Sequence, residues 1–463
     1  MVPLLLAPAA LASPSHSARS PRTHRDFSAI GRLIRKAIDE HKIPGAVVVI
    51  GHNEHVAFRR AYGSRALEPA REPMTMDTIF DMASLTKPLI TALAVMQLVQ
   101  RGKIGVDEPV AKYLPGFAAN GKGNITIRDL LTHYSGLPPD LPLNVPWDGK
   151  GGAYRMAFAI APAGPPGVKF VYSDINYVVL GALVEHLSGL PLDVYAQRYI
   201  IQPLGLHHTR FVPPVSWKPL IAPTQWEHGD SASGIPGQPT GPGDIMLRGL
   251  VHDPTSRRMG GVAGHAGLFS CGDDLAIYAQ NLLDRLAGRP SRFPLSRRVL
   301  AMMTRPEQPA GGKAERGFGW DIHSPYSGNR GHIFPVGSFG HTGFTGTSLW
   351  IDPKSDTYVI ILTNAVHPNG PTGIMALRSG VADAAARALR LYGSGSRHPS
   401  AQQEDQGTSS SLPMPPVIRQ QPAVFADEQQ RRVPRLQRPR EALSAALVAE
   451  RHRRLIRLRS QHV

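Results

Sequence analysis

Ser84 and Lys87 stand three residues apart in the segment Asp81-Met82-Ala83-Ser84-Leu85-Thr86-Lys87-Pro88-Leu89. A serine hydroxyl is a poor nucleophile at neutral pH and needs a base or a nearby cation. On a helix, residues three apart share a face, so Lys87 can bring its amine beside the Ser84 oxygen. The apolar pattern predicts a helix from about Ser84 to Gln100, with Gly102 as its stop. Ser84 at that helix start gains free backbone N–H groups suited to a developing oxyanion. Ser-x-x-Lys recurs by chance, and the plain alternative is an N-cap serine followed by an exposed lysine. Two further groups add weight. Tyr172-Ser173-Asp174-Ile175-Asn176 precedes a predicted helix over Asn176–Leu187, and His341-Thr342-Gly343 lies between two strand-like runs.

In this order the three groups resemble the Ser-x-x-Lys, Tyr-x-Asn and Lys-Thr-Gly triplet of the penicillin-recognising serine enzymes. The offsets from Ser84, 172 − 84 = 88 and 341 − 84 = 257 residues, look like those of the class C β-lactamase-related branch with its peptidase and esterase relatives. Leu131-Thr132-His133-Tyr134-Ser135-Gly136-Leu137 resembles a loop common in that family. The stretch from Gly260 to Ser270, Gly-Gly-Val-Ala-Gly-His-Ala-Gly-Leu-Phe-Ser, is similar to one in penicillin-binding-protein 4B-type members. The resemblance spans about residues 27 to 391. It implies that Ser84 attacks a carbonyl and holds the acyl group, while Lys87 and Tyr172 share the proton traffic. The N–H groups of Ser84 and Phe344 would form the oxyanion hole, and His341, Thr342 and Gly343 would line the substrate groove. No metal or organic cofactor is implied.

Two departures from the family pattern bear on substrate. Asp174 stands where Asn is usual, and a carboxylate there favours a charged Lys87 and repels an anionic substrate group. His341 replaces Lys, which weakens fixed positive charge at neutral pH. Together they imply a hydrolase of D-alanyl amide bonds in cell-wall peptides, or of small esters, ahead of a β-lactamase. A catalytically inactive binder of cell-wall fragments is the alternative of another class.

The elements that must position these groups suggest an α+β fold of the β-lactamase/transpeptidase type, a mostly antiparallel sheet flanked by helices with an inserted helical lobe. Phe27, Ile30, Leu33, Ile34, Ala37 and Ile38 form one helical stripe, stopped by Pro44-Gly45. Ala46–Ile50 and Val56–Tyr62 read as a hairpin turning at His52-Asn53. Asp273-Asp274 reads as the cap of a helix running to Leu286. Late strands are expected over Gly317–Ile322, Gly346–Ile351 and Tyr358–Leu362, then a helix over Ile374–Leu391. Strands at both ends with helices between them predict one sheet built from the two ends of the chain. The expected organisation is a signal-like segment and linker over 1–25, a hydrolase domain over 26–392 and a disordered basic tail over 393–463.

The 463 residues are 42% hydrophobic and carry a formal charge of +16. From Ser394 onward there are twelve arginines, no lysine and six acids, so the tail carries +6 and the remainder is diffuse. No patch interleaves aromatic and basic residues, so nucleic acid is not an expected partner. Glu441–Arg459 could make a basic amphipathic contact with a membrane surface. A monomer acting on a small-molecule or peptidoglycan-peptide substrate is expected. The single cysteine, Cys271, excludes an intramolecular disulfide. Leu4 to Ala12 resembles a secretory signal cleaved after Ala12, so a periplasmic or extracellular location is expected. His207, His208, His252 and His265 with Asp253 match no helix-borne ligand pair and read as structural or surface groups.

Overall fold

The computed structural model describes residues 25–227, 244–370 and 372–393. The signal-like stretch Leu4–Ala12 and the basic tail lie outside the described residues. The helix Ser28–Asp39 buries Ile30, Ile34 and Ala37, as its stripe predicts. It stops before Pro44 is reached, where His41 turns left-handed at φ 55°.

The chain then forms β1 (Gly45–His52), β2 (His55–Ala66), β3 (Glu72–Pro73) and β4 (Ile79–Asp81). The β1–β2 turn falls on Asn53 and Glu54, one residue later than predicted, with φ values of 52° and 65°. Both-positive φ matches the right-handed twist of a tight hairpin. The middle of the chain adds the short strands β5 (Arg210–Phe211), β6 (Trp226–Glu227), β7 (Ile245–Met246) and β8 (Leu268–Cys271). The last run supplies β9 (Glu315–Arg316), β10 (Asp321–His323), β11 (Phe339–Thr342), β12 (Ser348–Asp352) and β13 (Thr357–Leu362).

The main antiparallel sheet has the order β3-β2-β1-β13-β12-β11-β10-β9. Its centre pairs β1 with β13, Val47 opposite Leu362 through His52 opposite Thr357, so the two ends of the chain meet there as expected. β1 reads as a continuous apolar run because both its faces are covered. Val47 and Val49 pack with Leu275 and Leu349 in one core, whereas Ala46, Val48 and Ile50 pack with Ile30, Ile34, Val381 and Ala385 in the other. The second core is closed by the helices Ser28–Asp39 and Met375–Ala388, and the first by Gly272–Ala287 and the inserted helices.

Two expectations are corrected. The predicted strand Gly317–Ile322 is split into β9 and β10 by a turn in which Gly317 N–H donates to Trp320 O at 3.0 Å. Gly319 there has φ 87°, and a Cβ on it would lie 2.6 Å from Ala92 Cβ, so the turn packs directly on the helical segment that follows Lys87. Nor do Asp273 and Asp274 cap their helix, which begins at Gly272. Asp274 instead accepts from the backbone N–H groups of His207 and His208 and from the Thr209 hydroxyl.

Candidate active site

The helix predicted from Ser84 exists in three pieces. Ala83–Leu85 is a 3₁₀ turn, Lys87–Ala92 a wider π turn, and Leu93–Gln100 regular α-helix. Ser84 and Lys87 thus span the change from 3₁₀ to π geometry, and at three residues apart they still share a face. Pro88 carries no N–H and its ring crowds the carbonyl four residues back, so regular α bonding cannot run through it. Lys87 Nζ donates to Ser84 Oγ at 2.9 Å.

Ala83, just ahead of Ser84, has φ 45°. A non-glycine residue there stores strain on the order of 1–3 kcal/mol and persists only when its surroundings hold it. Ala83 N–H donates to Asp81 Oδ1 at 2.8 Å, and Asp81 Oδ2 accepts from His252 N–H at 2.7 Å. The Thr345 and Thr347 hydroxyls donate to the Asp81 and Met82 carbonyls at 2.7 and 3.1 Å. Burial pushes the Asp81 carboxyl up to about 6, against the pull of its two N–H donors.

Lys87 is fully buried; its ammonium donates to Ser84 Oγ and to His265 O at 3.1 Å, and forms an ion pair with Asp174 Oδ1 at 2.6 Å. Burial works against the charge, but the Asp174 carboxylate and Tyr172 together outweigh it and raise the Lys87 pKa above its ordinary value. Lys87 Nζ lies 4.9 Å from the Tyr172 ring centroid. Tyr172 stacks on His133 at 4.4 Å and meets the Tyr326 and His341 rings at 5.5 and 6.0 Å. His133 Nδ1 accepts from Ser173 N–H at 3.1 Å and lies 3.2 Å from Asn176 Nδ2, fixing the ring against Tyr172. Burial drives its pKa well below the usual histidine value, so the ring is neutral.

His341 occupies β11, with Thr342 at its end and Gly343 and Phe344 in the loop that follows. Its Nδ1–H donates to Thr342 O at 2.8 Å. Burial, reinforced by the positive charges of Arg316 and Lys87, holds its pKa well below the usual range. The groove therefore carries no fixed cation at this position. Phe344 is half-exposed and stacks on His252 at 5.5 Å, and its backbone N–H has no acceptor among the described residues. The sequence-predicted residues, from Ser84 and Lys87 to Phe344, thus come together in one region of the fold.

The structure adds groups that spacing did not reveal. His265 Nε2–H donates to Asp253 Oδ1 at 2.8 Å, and both lie beside Asp174. Burial opposes a charge on either, but each raises or lowers the other toward its ionised form, His265 upward and Asp253 below the usual carboxylate range. Asp174, Asp253 and His265 offer atoms within 4.8 Å of one another, a spacing a metal could use. That acidic side already faces the Lys87 ammonium at 2.6 Å, so a divalent ion would have to displace or discharge Lys87. His207 and His208 lie elsewhere, over Asp274. Gly264 makes the close approach possible, since a Cβ there would sit 1.9 Å from Tyr177 O.

Asp140 completes this cluster. Burial first, then the Asp174 and Asp253 carboxylates, push its pKa up to about 7. Its unfolded value is about 3.9. A carboxyl raised on folding stabilises in its protonated form, and that contribution is lost as pH climbs from about 4 to about 7. Asp140→Asn is therefore expected to raise the melting temperature at pH 8 by several degrees and to change it little at pH 4. An equal shift at both values would rule out the ionised carboxyl as the cause.

The Beta-lactamase family model matches residues 30–383. A Salmonella typhi protein with a provisional D-alanyl-D-alanine carboxypeptidase name is 33% identical over 352 residues, 70% of this chain and 79% of its own. Among solved structures, a class C β-lactamase from Rhodobacter sphaeroides aligns with TM-score 0.60 and 21% identity, over 78% of this chain and 99% of its own. EstCE1, a hydrolase with promiscuous acyltransferase activity, aligns with TM-score 0.61 and 24% identity, over 77% of this chain and 97% of its own. The chain belongs to the β-lactamase family of serine hydrolases, and its fold is that of the β-lactamase and penicillin-binding-protein enzymes.

Proposed function

We propose that the chain is a D-alanyl-D-alanine carboxypeptidase or esterase-type hydrolase that works through an acyl-enzyme on Ser84. The observation that carries this reading is the Lys87 ammonium, donating to Ser84 Oγ while paired with Asp174. Ser84 Oγ attacks the substrate carbonyl carbon as its proton passes to the Tyr172 oxygen, which acts as a phenolate beside the Lys87 ammonium. The proton returns to the departing amine or alcohol, and water then releases the acyl group. The N–H groups of Ser84 and Phe344 receive the oxyanion. Neutral His341 leaves no fixed cation for a substrate carboxylate, which weighs toward small esters, whereas the name of the 33% identical Salmonella typhi relative weighs toward D-alanyl peptides. The stretch Leu4–Ala12 supports action outside the cytoplasm, on peptidoglycan peptides.

The test is intact-mass spectrometry after incubation with a penicillin, together with turnover of a nitrophenyl ester and of a D-alanyl-D-alanine peptide. Ser84→Ala is run alongside. The parent is expected to hold a penicillin adduct that releases slowly and to hydrolyse at least one of the other two substrates. The variant should form no adduct and lose turnover by about 10⁴-fold or more. Rapid loss of the penicillin with no adduct would favour a β-lactamase. No reaction with any of the three would favour a binder of cell-wall fragments, and turnover surviving in Ser84→Ala would overturn the assignment of the nucleophile.

A further inference from the structure

Arg378 belongs to no motif, yet it touches the back of the predicted oxyanion hole. It lies in the first turn of the helix Met375–Ala388 and is 8% exposed. Its Nη2 donates to Gly343 O at 3.0 Å and to Thr347 O at 2.9 Å. Gly343 O also accepts from Gly346 N–H at 3.1 Å, and Thr347 O from Gly343 N–H at 2.8 Å. One guanidinium nitrogen therefore closes the loop between β11 and β12. Among the described residues no carboxylate lies within ion-pair distance of Arg378, and its Nε has no partner. Burial pulls its pKa down to about 10, which leaves it charged at neutral pH.

The carbonyl it holds has a second identity. Gly343 C=O and Phe344 N–H are the two ends of one peptide unit. That unit is planar, so fixing the oxygen fixes the direction of the N–H. A cation on the oxygen draws electron density through the amide and makes the N–H a stronger donor. An unpaired buried charge is costly to folding, so the site keeps a cation at a position where packing alone would favour an apolar side chain.

We propose that Arg378 is a positioning residue for acyl transfer: it orients and polarises the Gly343–Phe344 peptide so that the Phe344 N–H meets the substrate oxyanion. This rests on the reading of Ser84 as nucleophile and of Phe344 N–H as an oxyanion donor. Removing an oxyanion donor outright costs about 10²–10³ in kcat. Loss of its polarisation and alignment should cost part of that.

The experiment compares the parent with Arg378→Met, Arg378→Lys and Arg378→Gln. It reads kcat and KM on a nitrophenyl ester, the affinity for phenylboronic acid, and the melting temperature. Phenylboronic acid forms a B–O bond to Ser84 Oγ as the hydroxyl proton passes to the Lys87–Tyr172 pair, giving a tetrahedral anion that mimics the intermediate. Arg378→Met is expected to lower kcat about 10- to 100-fold with KM within about twofold, and to weaken the boronate by a similar factor. Arg378→Lys, which keeps the charge, should recover most of the loss, and Arg378→Gln, which keeps only the donors, should recover less. A lowered melting temperature with parental kcat and boronate affinity would overturn the proposal. If Arg378→Met does not fold, equal activity of the Lys and Gln variants with the parent overturns it instead. Ser84→Ala run in parallel separates the two readings: boronate affinity that survives there means that the nucleophile is misassigned, whatever Arg378 does.

Discussion

Replacing Lys87 with methionine is expected to slow acylation of Ser84 by about 10²–10⁴-fold, the range of a lost acid–base group. Methionine fills nearly the same volume between Tyr172 and Tyr177, so the loss would be chemical rather than steric. It also strands the Asp174 carboxylate opposite an apolar side chain. Breaking one side of a buried pair costs more than removing both. The double variant Lys87→Met/Asp174→Asn should therefore melt higher than Lys87→Met alone while remaining equally slow. The pH dependence follows the same pair. Because Asp174 raises the Lys87 pKa, the pair stabilises the fold throughout neutral pH, and its contribution disappears only as alkaline pH passes the raised value. Single-turnover acylation followed by mass checks the first, and the melting-temperature gap between parent and Lys87→Met, expected to be the same at pH 7 and pH 10 because both lie below the ordinary lysine value, checks the second. Acylation within tenfold of the parent would remove Lys87 from the chemistry.

Gly343→Ala should be nearly as damaging, for a different reason. A Cβ at this position would lie 2.1 Å from Thr347 Oγ1, 2.5 Å from Met82 O and 3.3 Å from Ala83 Cβ. The Thr347 side chain could rotate away, but Met82 O is backbone immediately before the strained turn that presents Ser84. The loop after β11 and the nucleophile turn must separate to admit the methyl group. That pulls the Phe344 N–H away from Ser84, and a separation near 1 Å is enough to cost about 10² in rate. The overpacking should also cost about 1–3 kcal/mol of stability. The check is kcat with a thermal melt, beside Gly311→Ala as a control, since nothing lies within 4 Å of a Cβ there. Although Gly311 has φ 83°, that control suffers only backbone strain and should keep its kcat. Parental kcat in Gly343→Ala would show that the two halves of the hole are not so tightly set.

The regular parts of this architecture are legible in the sequence because they rest on periodicity. The Ile30–Ile34–Ala37 stripe and the unbroken apolar runs of β1 and β13 predict their elements to within a few residues. Ser84, Lys87, Tyr172 and His341 are legible because they sit in short motifs at recognisable separations. What escaped depends on contacts between segments far apart in the chain. Asp253 and His265 reach Asp174 only because Gly264 lets a loop press against the helix Asp174–Ser188. Arg378 looks like one basic residue among many until its helix docks behind the Gly343 carbonyl. Asp274 reads as a cap by local rules, but the neighbouring chain at His207–Thr209 competes for its oxygens and wins. Periodicity predicts plain helix at the nucleophile turn because it cannot distinguish 3.0, 3.6 and wider turns over so few residues.

The pairing of β1 with β13 also has a kinetic side. Strands from opposite ends of the described chain join at the centre of the sheet, so the largest loop must close before that sheet can exist. Long-range pairing of this kind slows folding. During synthesis Ser84 and Lys87 leave the ribosome long before β11, the Gly343–Phe344 peptide and Arg378. A chain that has emerged only as far as Lys87 therefore lacks the Gly343–Phe344 peptide and Arg378, and the constellation is complete only after β13 and the helix Met375–Ala388 have joined the sheet.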